Sequence, residues 1–178
     1  MANYLASNCH QATANQWIDL TQTSRIGTGQ ARFVAVKYSS GEKSIAFNAF
    51  PGGKIQFILM IQSETAIEIG SLAVSFYNRL GIQLVNADII SIGQTMKLKE
   101  GKNIVKLTIK QLHLNLGVYT VGFWLSRSLA GDFFEHKAID YIDSAFEIEV
   151  VNLGDNLLHN NYQYHALVPC ELEITLVD

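Results

Sequence analysis

The chain has 178 residues, of which 48% are hydrophobic and 16% are charged, and its formal net charge is -3. This length suits one globular domain with room for an extra arm, and the composition excludes an intrinsically disordered chain. Because there is no basic excess, the sequence offers no footprint for nucleic acid or for an anionic membrane. The longest apolar run, residues 57–61, is too short to span a bilayer, and no secretory signal is visible, so the expected compartment is the cytoplasm.

The first 25 residues are polar and rich in Asn, Gln, Thr and Ala. We expect them to form an arm or linker, with a short helical stretch around Trp17, Ile18 and Leu20. From Gly27 onward, short runs alternate polar and apolar residues with the period of a β-strand. These runs predict strands at 31–38, 54–62, 71–78, 103–109, 118–126 and 144–151. Short strands separated by turns rich in Gly predict an all-β antiparallel sandwich.

The C-terminal residues predict a polar hinge followed by one more strand. Residues 152–161 are polar, and residues 162–177 are strand-like but interrupted by Pro169. Because proline cannot donate a ladder hydrogen bond, this strand should lie at a sheet edge or bend there.

Motifs for catalysis or cofactor binding are absent from the sequence. The Gly-Thr-Gly at 27–29 is not followed by Gly-Lys-Ser/Thr, so it predicts a turn rather than a phosphate-binding loop. The five histidines are scattered, and a zinc site would need convergence of distant residues. We therefore expect no enzyme activity, no metal and no cofactor. Cys9 and Cys170 are expected to be reduced thiols, with a disulfide between them as the alternative.

An acidic cluster lies between two predicted strands. Its members are Asp132, Glu135, His136, Asp140 and Asp143. A carboxylate pair for glycoside hydrolysis, or a calcium loop, is one interpretation. We favour a solvated loop, because the cluster lacks the Asp-x-Asp-x-Asp spacing of a calcium loop.

Three stretches carry a resemblance to a known family. They are Arg-Ile-Gly-Thr-Gly-Gln-Ala-Arg-Phe at 25–33, Leu-His-Leu-Asn-Leu-Gly-Val-Tyr-Thr-Val at 112–121, and Ile-Asp-Tyr at 139–141 followed by Phe-Glu-Ile at 146–148. In order and spacing they resemble the Wzt C-terminal domain family, which opens on Gly-Thr/Ser-Gly-Glu-Ala-Arg and has a Leu-x-Leu-x-x-Gly-x-Tyr corner. The sequence departs from the family at Leu116, where many members have proline.

The resemblance implies an immunoglobulin-like or jelly-roll β-sandwich that binds carbohydrate without catalysis. In the family this domain belongs to the ATPase subunit of an O-antigen polysaccharide ABC exporter, where it recognises the end of the polysaccharide. It also implies a homodimer that exchanges the C-terminal strand, and association with the ATPase domain and the membrane subunit. We expect an arm at 1–25, the carbohydrate-binding sandwich at 26–151, and a hinge with the exchanged strand at 152–178.

Strand alternation predicts which side chains face the core and which face outward. The inward set comprises Phe57, Phe76, Val121, Phe123, Phe146 and Ile148. In an immunoglobulin-like order, the strands at 71–78, 118–126 and 144–151 share a sheet. Its outer face predicts a carbohydrate site with aromatic platforms and hydroxyl-binding groups: Trp124, Tyr77, Arg79, Ser75, Thr120, Glu147 and Glu149.

Two further expectations concern the outer surfaces. Gly122 beside Trp124 should open a hollow in the carbohydrate site, whereas Ile58 and Met60 point outward from the other sheet and should pack under an arm or partner. Trp124 could itself be covered by the arm or by a second subunit, because exposed aromatic patches mark several kinds of interface. The alternative function is accordingly a structural or adhesive sandwich without a glycan ligand.

Overall fold

The computed structural model of the protein describes residues 11–40, 48–127, 138–151 and 172–177. Two antiparallel sheets and one short 3-10 helical turn, Ile89–Ile92, make up the described chain. The strands are β1 (Ile18–Asp19), β2 (Ala31–Ser40), β3 (Ile55–Ser63), β4 (Ile67–Tyr77), β5 (Gln83–Asp88), β6 (Met96–Leu98), β7 (Gly101–Ile109), β8 (Gly117–Arg127), β9 (Ala138–Val150) and β10 (Leu172–Val177).

The strands divide between a first sheet and a second sheet. The first sheet has the order β1-β2-β3-β7-β10, and the second has the order β5-β4-β8-β9, with β6 paired to another part of β4. Every pair of neighbouring strands in the two sheets is antiparallel. The prediction of an all-β sandwich is therefore confirmed.

An aromatic core fills the space between the two sheets. Phe33 and Phe57 from the first sheet meet Phe123 from the second, with ring centroids 5.4 and 6.5 Å apart. The six residues predicted to face inward are all buried, with at most 2% exposure. Each buried aliphatic or aromatic side chain contributes about 1.5–3 kcal/mol to folding. Strand alternation thus identified the core correctly.

The predicted helical stretch near Trp17 is wrong. Ile18–Asp19 instead forms β1, which pairs with Val36 and Ala35 of β2. Leu20, the next residue, is fully buried and belongs to the core. The helical spacing of a few residues is a weak local preference, and pairing with the long strand β2 outweighs it here. The described part of the predicted arm is thus packed on the sandwich.

The strand boundaries differ from the predictions at several places. β9 begins at Ala138, well before the predicted start at 144, and β4 begins at Ile67 rather than 71. Strands β5 and β6 lack a clear alternating pattern and were not predicted. β10 lies at the edge of the first sheet, against β7. Pro169, Cys9 and Cys170 lie outside the described residues.

One residue of the acidic cluster, Asp140, is a buried ion-pair partner rather than part of a solvated loop. Its carboxylate lies 3.0 Å from Arg25 and accepts a 2.8 Å hydrogen bond from the Phe33 amide. Arg25 also donates to the carbonyls of Leu20, Thr23 and Phe33. Burial raises the pKa of Asp140, against the opposing effects of the Phe33 amide and the Arg25 and Arg32 guanidinium groups. Arg25 therefore joins the N-terminal segment, β2 and β9.

The loop between β7 and β8 forms a tyrosine corner. The Tyr119 hydroxyl donates a 2.9 Å hydrogen bond to the carbonyl of Asn115, four residues earlier. Gly117 has a φ of 152°, a backbone conformation that favours glycine. The chain crosses here from the first sheet to the second, as in immunoglobulin-like sandwiches. Leu116 in place of proline has left this corner intact.

Candidate functional site

The outer face of the second sheet brings most of the predicted site residues together. Strands β4, β8 and β9 are neighbours, as predicted. Tyr77 pairs with Thr120, which pairs in turn with Glu147. Trp124 lies in the next part of β8, paired with Tyr141 of β9. The register places these side chains on one face because the alternate residues of β4, β8 and β9 are buried in the core.

Three aromatic side chains form a connected group on this face, which we call the aromatic row: Tyr77, Tyr141 and Trp124. The rings of Trp124 and Tyr141 meet edge to face, with centroids 5.5 Å apart and an interplanar angle of 65°. The Tyr77 side chain lies close enough to that of Tyr141 to raise its pKa. All three residues are partly buried. The row therefore offers partly exposed rings that are held in place by one another.

Gly122 does not open the predicted hollow. A Cβ atom there would lie 2.8 Å from the carbonyl oxygen of Ile142, 2.9 Å from that of Asp143 and 3.0 Å from Cε2 of Tyr77. The backbone of β9 approaches because three of its residues, 143–145, lie opposite Gly122 alone in a bulge. Glycine here allows β9 and the Tyr77 ring to approach β8 closely. The expectation of a cavity at this position is wrong.

The hydroxyl of Tyr141 is held in its protonated form over a wide pH range. Burial raises its pKa to about 12, and the neighbouring Tyr77 side chain and Asp143 carboxylate act in the same direction. A neutral phenol donates and accepts hydrogen bonds, whereas a phenolate only accepts them. The Tyr141 hydroxyl of the row is thus neutral near neutral pH.

Polar side chains flank the aromatic row on the side of β5. The Ser75 hydroxyl donates to Oδ1 of Asn86 at 2.9 Å and accepts from Nε2 of Gln83 at 3.1 Å. Ser75 is only 5% exposed, so the outer groups here are those of Gln83 and Asn86. Planar amides of this kind are suited to hydrogen bonding with sugar hydroxyls.

The two predicted glutamates lie at the other side of the face, beside the N-terminal segment. The Glu147 carbonyl accepts a 2.9 Å hydrogen bond from the Ala12 amide. The Glu149 carboxylate accepts from Nε2 of Gln11 at 3.3 Å. Glu149 is exposed and Glu147 is partly buried. The N-terminal segment therefore borders the candidate site along the outer edge of β9, where Ile26 also bridges to Tyr141.

Arg79 lies outside this group. β4 ends at Tyr77, and Arg79 is an exposed residue of the following turn. The Asn78 side chain organises that turn by accepting hydrogen bonds from the amides of Leu80 and Ile82. The predicted alternation includes Arg79, but the strand ends two residues earlier, at Tyr77.

The residues that the sequence-based prediction missed are Tyr141, Gln83 and Asn86. Tyr141 was missed because β9 was expected to begin three residues after it. Gln83 and Asn86 belong to β5, whose alternation is broken by the irregular pairing beside Tyr77. The signal for Tyr141 was available, since it lies an even number of residues before Glu147 and so shares its face despite the bulge.

Neither a metal cluster nor a membrane-spanning helix occurs in the described ranges. No group of three His, Cys, Asp or Glu side chains there could hold a metal ion. Asp132, Glu135 and His136 lie outside those ranges. No helix among the described residues is long and apolar enough to cross a membrane.

Comparison with known proteins agrees with this architecture. Among solved structures, the chain is similar to one described as "Crystal structure of the C-terminal domain of wzt", with a TM-score of 0.61 and 16% identity. The match covers 85% of this chain and 98% of the other. No sequence match was found among curated proteins. The family model for the Wzt C-terminal domain matches residues 22–168. The chain therefore belongs to the Wzt C-terminal domain family.

Proposed function

We propose that this domain binds carbohydrate, without catalysis, on the outer face of the second sheet. The observation that carries the proposal is the aromatic row, in which Trp124 and Tyr141 meet edge to face and Tyr77 lies beside Tyr141. Aromatic rings pack against the apolar C–H face of a pyranose, and flanking polar groups take its hydroxyls. Side-chain amides of Gln83 and Asn86 and the carboxylate of Glu149 lie on the two sides of the row.

Family membership supplies the setting for this activity. We propose that the ligand is the terminus of an O-antigen-type polysaccharide, recognised at the cytoplasmic side for export by an ABC transporter. The partners would be the ATPase domain and the membrane subunit of that exporter. Partly exposed aromatic rings beside polar side chains favour a sugar ligand of this kind.

Replacement of Trp124 tests the site. Trp124→Phe retains a ring and should keep most folding stability, whereas Trp124→Ala removes the platform. Loss of one anchor should cost on the order of 1–3 kcal/mol of binding free energy, enough to erase a weak interaction. Calorimetric titration with purified bacterial O-polysaccharides, chosen by a prior array screen, measures the loss. A melting curve of each variant shows how much of the change is unfolding.

The matched control is Trp17, the second tryptophan of the chain. Trp17 precedes β1 on the first sheet and is 48% exposed, with Nζ of Lys37 lying 5.3 Å from its ring centroid. Trp17→Ala should leave glycan binding unchanged. Binding that survives Trp124→Ala in a folded protein, or that is lost equally in Trp17→Ala, would rule out the aromatic row as the site.

We also propose a homodimer that exchanges β10. This strand pairs along its whole length with β7 at the edge of the first sheet, and the same antiparallel pairing can form between two chains. Light scattering should show a dimer for the full chain, and deletion of residues 162–178 should weaken it, with circular dichroism confirming that the shortened chain is folded. A monomeric full chain contradicts the proposal.

A protein-interaction module without a glycan ligand is the second candidate. Leu80, Ile82 and Leu116 are 76%, 54% and 57% exposed. They lie at one end of the second sheet, because the end of β4 pairs with the beginning of β8. Such apolar tips suit protein contacts. This function predicts that Leu80→Ser disrupts assembly while Trp124→Ala does not.

A further inference from the structure

A polar hollow lies on the outer face of the first sheet, on the opposite side of the sandwich from the aromatic row. It spans β3, β7 and β10, and the aromatic row lies on none of these strands. Its lining comprises Lys54, Gln56, Lys106, Thr108, Glu173 and Thr175. All six side chains are polar: five lie on the three strands and Lys54 lies just before β3. The same face also carries Ile58 and Met60.

The strand register explains how these residues meet. Gln56 pairs with Thr108, which pairs with Glu173 across the sheet. In the adjacent row Lys106 pairs with Thr175. Nε2 of Gln56 donates a 3.3 Å hydrogen bond to the Thr108 hydroxyl. Thr108 is only 5% exposed although it is on the outer face, so the hollow has a fixed polar floor.

The charges of the lining favour an anionic ligand. Lys54 and Lys106 supply two positive charges and Glu173 one negative charge, which leaves an excess of one positive charge. Ammonium groups bind carboxylate and phosphate oxygens through charge-assisted hydrogen bonds, and the threonine hydroxyls can bind adjacent hydroxyls. We propose that this hollow binds the carboxylate or phosphate group of a small anionic saccharide or phosphate compound.

The contribution of β10 adds a consequence for assembly. Glu173 and Thr175 belong to β10, whereas the remaining four residues lie on or just before β3 and β7. A ligand in the hollow therefore contacts the docked strand and loses those contacts when the strand detaches. The detached sheet keeps both lysines and loses the Glu173 carboxylate, so the ligand binds both states and shifts the equilibrium only by the ratio of its two affinities. The Thr175 contact favours docked β10, and this holds for pairing within one chain or between two.

The ligand class is tested by NMR titration of the full chain with inorganic phosphate, D-glucuronate and D-glucose. Sodium chloride at matched ionic strength controls for screening. We expect chemical shift changes at Gln56, Thr108 and Thr175 with phosphate or glucuronate and none with glucose. A response to glucuronate alone identifies an acidic sugar, and a response to phosphate alone identifies a phosphate compound. No response to either anion, or an equal response to glucose, overturns the proposal.

Two lysines of β7 provide matched variants. Lys106→Gln should raise the Kd roughly three- to tenfold, the range between an exposed ion pair and a charge-assisted hydrogen bond. Lys102→Gln, an exposed position on the same strand outside the hollow, should leave it unchanged. Equal weakening by both variants would mean diffuse attraction to the sheet and would refute a site. Trp124→Phe should not alter anion binding, which separates this site from the proposed glycan site.

Hydrogen exchange tests the effect on β10. At saturating ligand, opening of the docked strand should slow by the ratio of the ligand's affinities for the docked and detached states. The amides of Ile174 and Leu176 report on β10, and those of β5 serve as the internal reference. Unchanged exchange in β10 at saturation, or equal slowing in β5, contradicts the coupling of ligand and strand.

Discussion

Removal of the Arg25 guanidinium should destabilise the fold far more than removal of any exposed charge. The side chain of Asp140 is 2% exposed and that of Arg25 is 14% exposed. Breaking a buried ion pair by removing one partner costs about 3–5 kcal/mol, because the remaining charge is left unpaired. Arg25→Met keeps the alkyl chain and removes the charge. Since each kcal/mol shifts the melting temperature of a chain this long by about 2–4 °C, the expected loss is roughly 6–20 °C.

The control for Arg25→Met is Arg127→Met. Arg127 is exposed and makes one 3.0 Å hydrogen bond to Gln30, so its replacement should change stability by less than about 0.5 kcal/mol. The double variant Arg25→Met/Asp140→Leu removes both charges and should recover part of the loss. Denaturant titrations of all four proteins measure these terms. Equal effects of Arg25→Met and Arg127→Met, or no recovery in the double variant, would refute the ion-pair reasoning.

The pH dependence of Arg25→Met gives an independent check. Burial already raises the pKa of Asp140, and loss of Arg25 removes one of the effects that oppose this rise. A carboxyl with a folded-state pKa above its unfolded value stabilises the fold most at low pH, and that contribution is lost as the pH rises through the folded pKa. Arg25→Met should therefore regain stability relative to the parent as the pH falls from about 7 toward 4. A constant difference between the two proteins across this range would contradict a buried, unpaired carboxylate.

Two further predictions concern Tyr38 and Gly27. Burial raises the pKa of Tyr38 to about 12. The stability of the fold should therefore fall as the pH rises from about 10 toward 12. Tyr38→Phe should remove much of this dependence, as measured by denaturation curves at about pH 8 and 11. Tyr38→Phe also loses the 2.9 Å hydrogen bond to the Ala12 carbonyl, which should cost roughly 1 kcal/mol near neutral pH. Gly27 has a φ of 142°, and a Cβ there would overlap the carbonyl of Ile139. Gly27→Ala should therefore lower the melting temperature. Gly52→Ala should lower it less, because a Cβ there has no atom within 4 Å and adds only the strain of a positive φ.

Period-2 alternation was sufficient to predict the core and the sheet that carries the aromatic row. Phe123 and Trp124 illustrate why, since adjacent residues on β8 differ in burial as the pleat requires. The prediction failed where long-range pairing decides the conformation. Ile18–Asp19 is a strand only because β2 extends beside it, and Asp140 is buried because Arg25, 115 residues away, pairs with it.

The candidate site depended on one irregularity that alternation alone does not specify. Three residues of β9 lie opposite Gly122 in the bulge. Because the bulge adds two residues, an even number, Tyr141 stays on the same face as Glu147. An odd insertion would have turned Tyr141 toward the core and separated Tyr77 from Trp124. Gly122 allows this arrangement, because any Cβ there would collide with the β9 backbone and the Tyr77 ring.

The two sheet faces differ in the chemistry that they offer. The second sheet carries an aromatic row that includes the neutral Tyr141 hydroxyl, suited to the faces and hydroxyls of sugar rings. The first sheet carries a lysine-lined hollow without aromatic residues, suited to an anionic group. The aromatic row is built entirely from β4, β8 and β9, whereas the hollow depends on β10. Detachment of β10 should therefore leave the aromatic row unchanged and alter anion binding at the hollow.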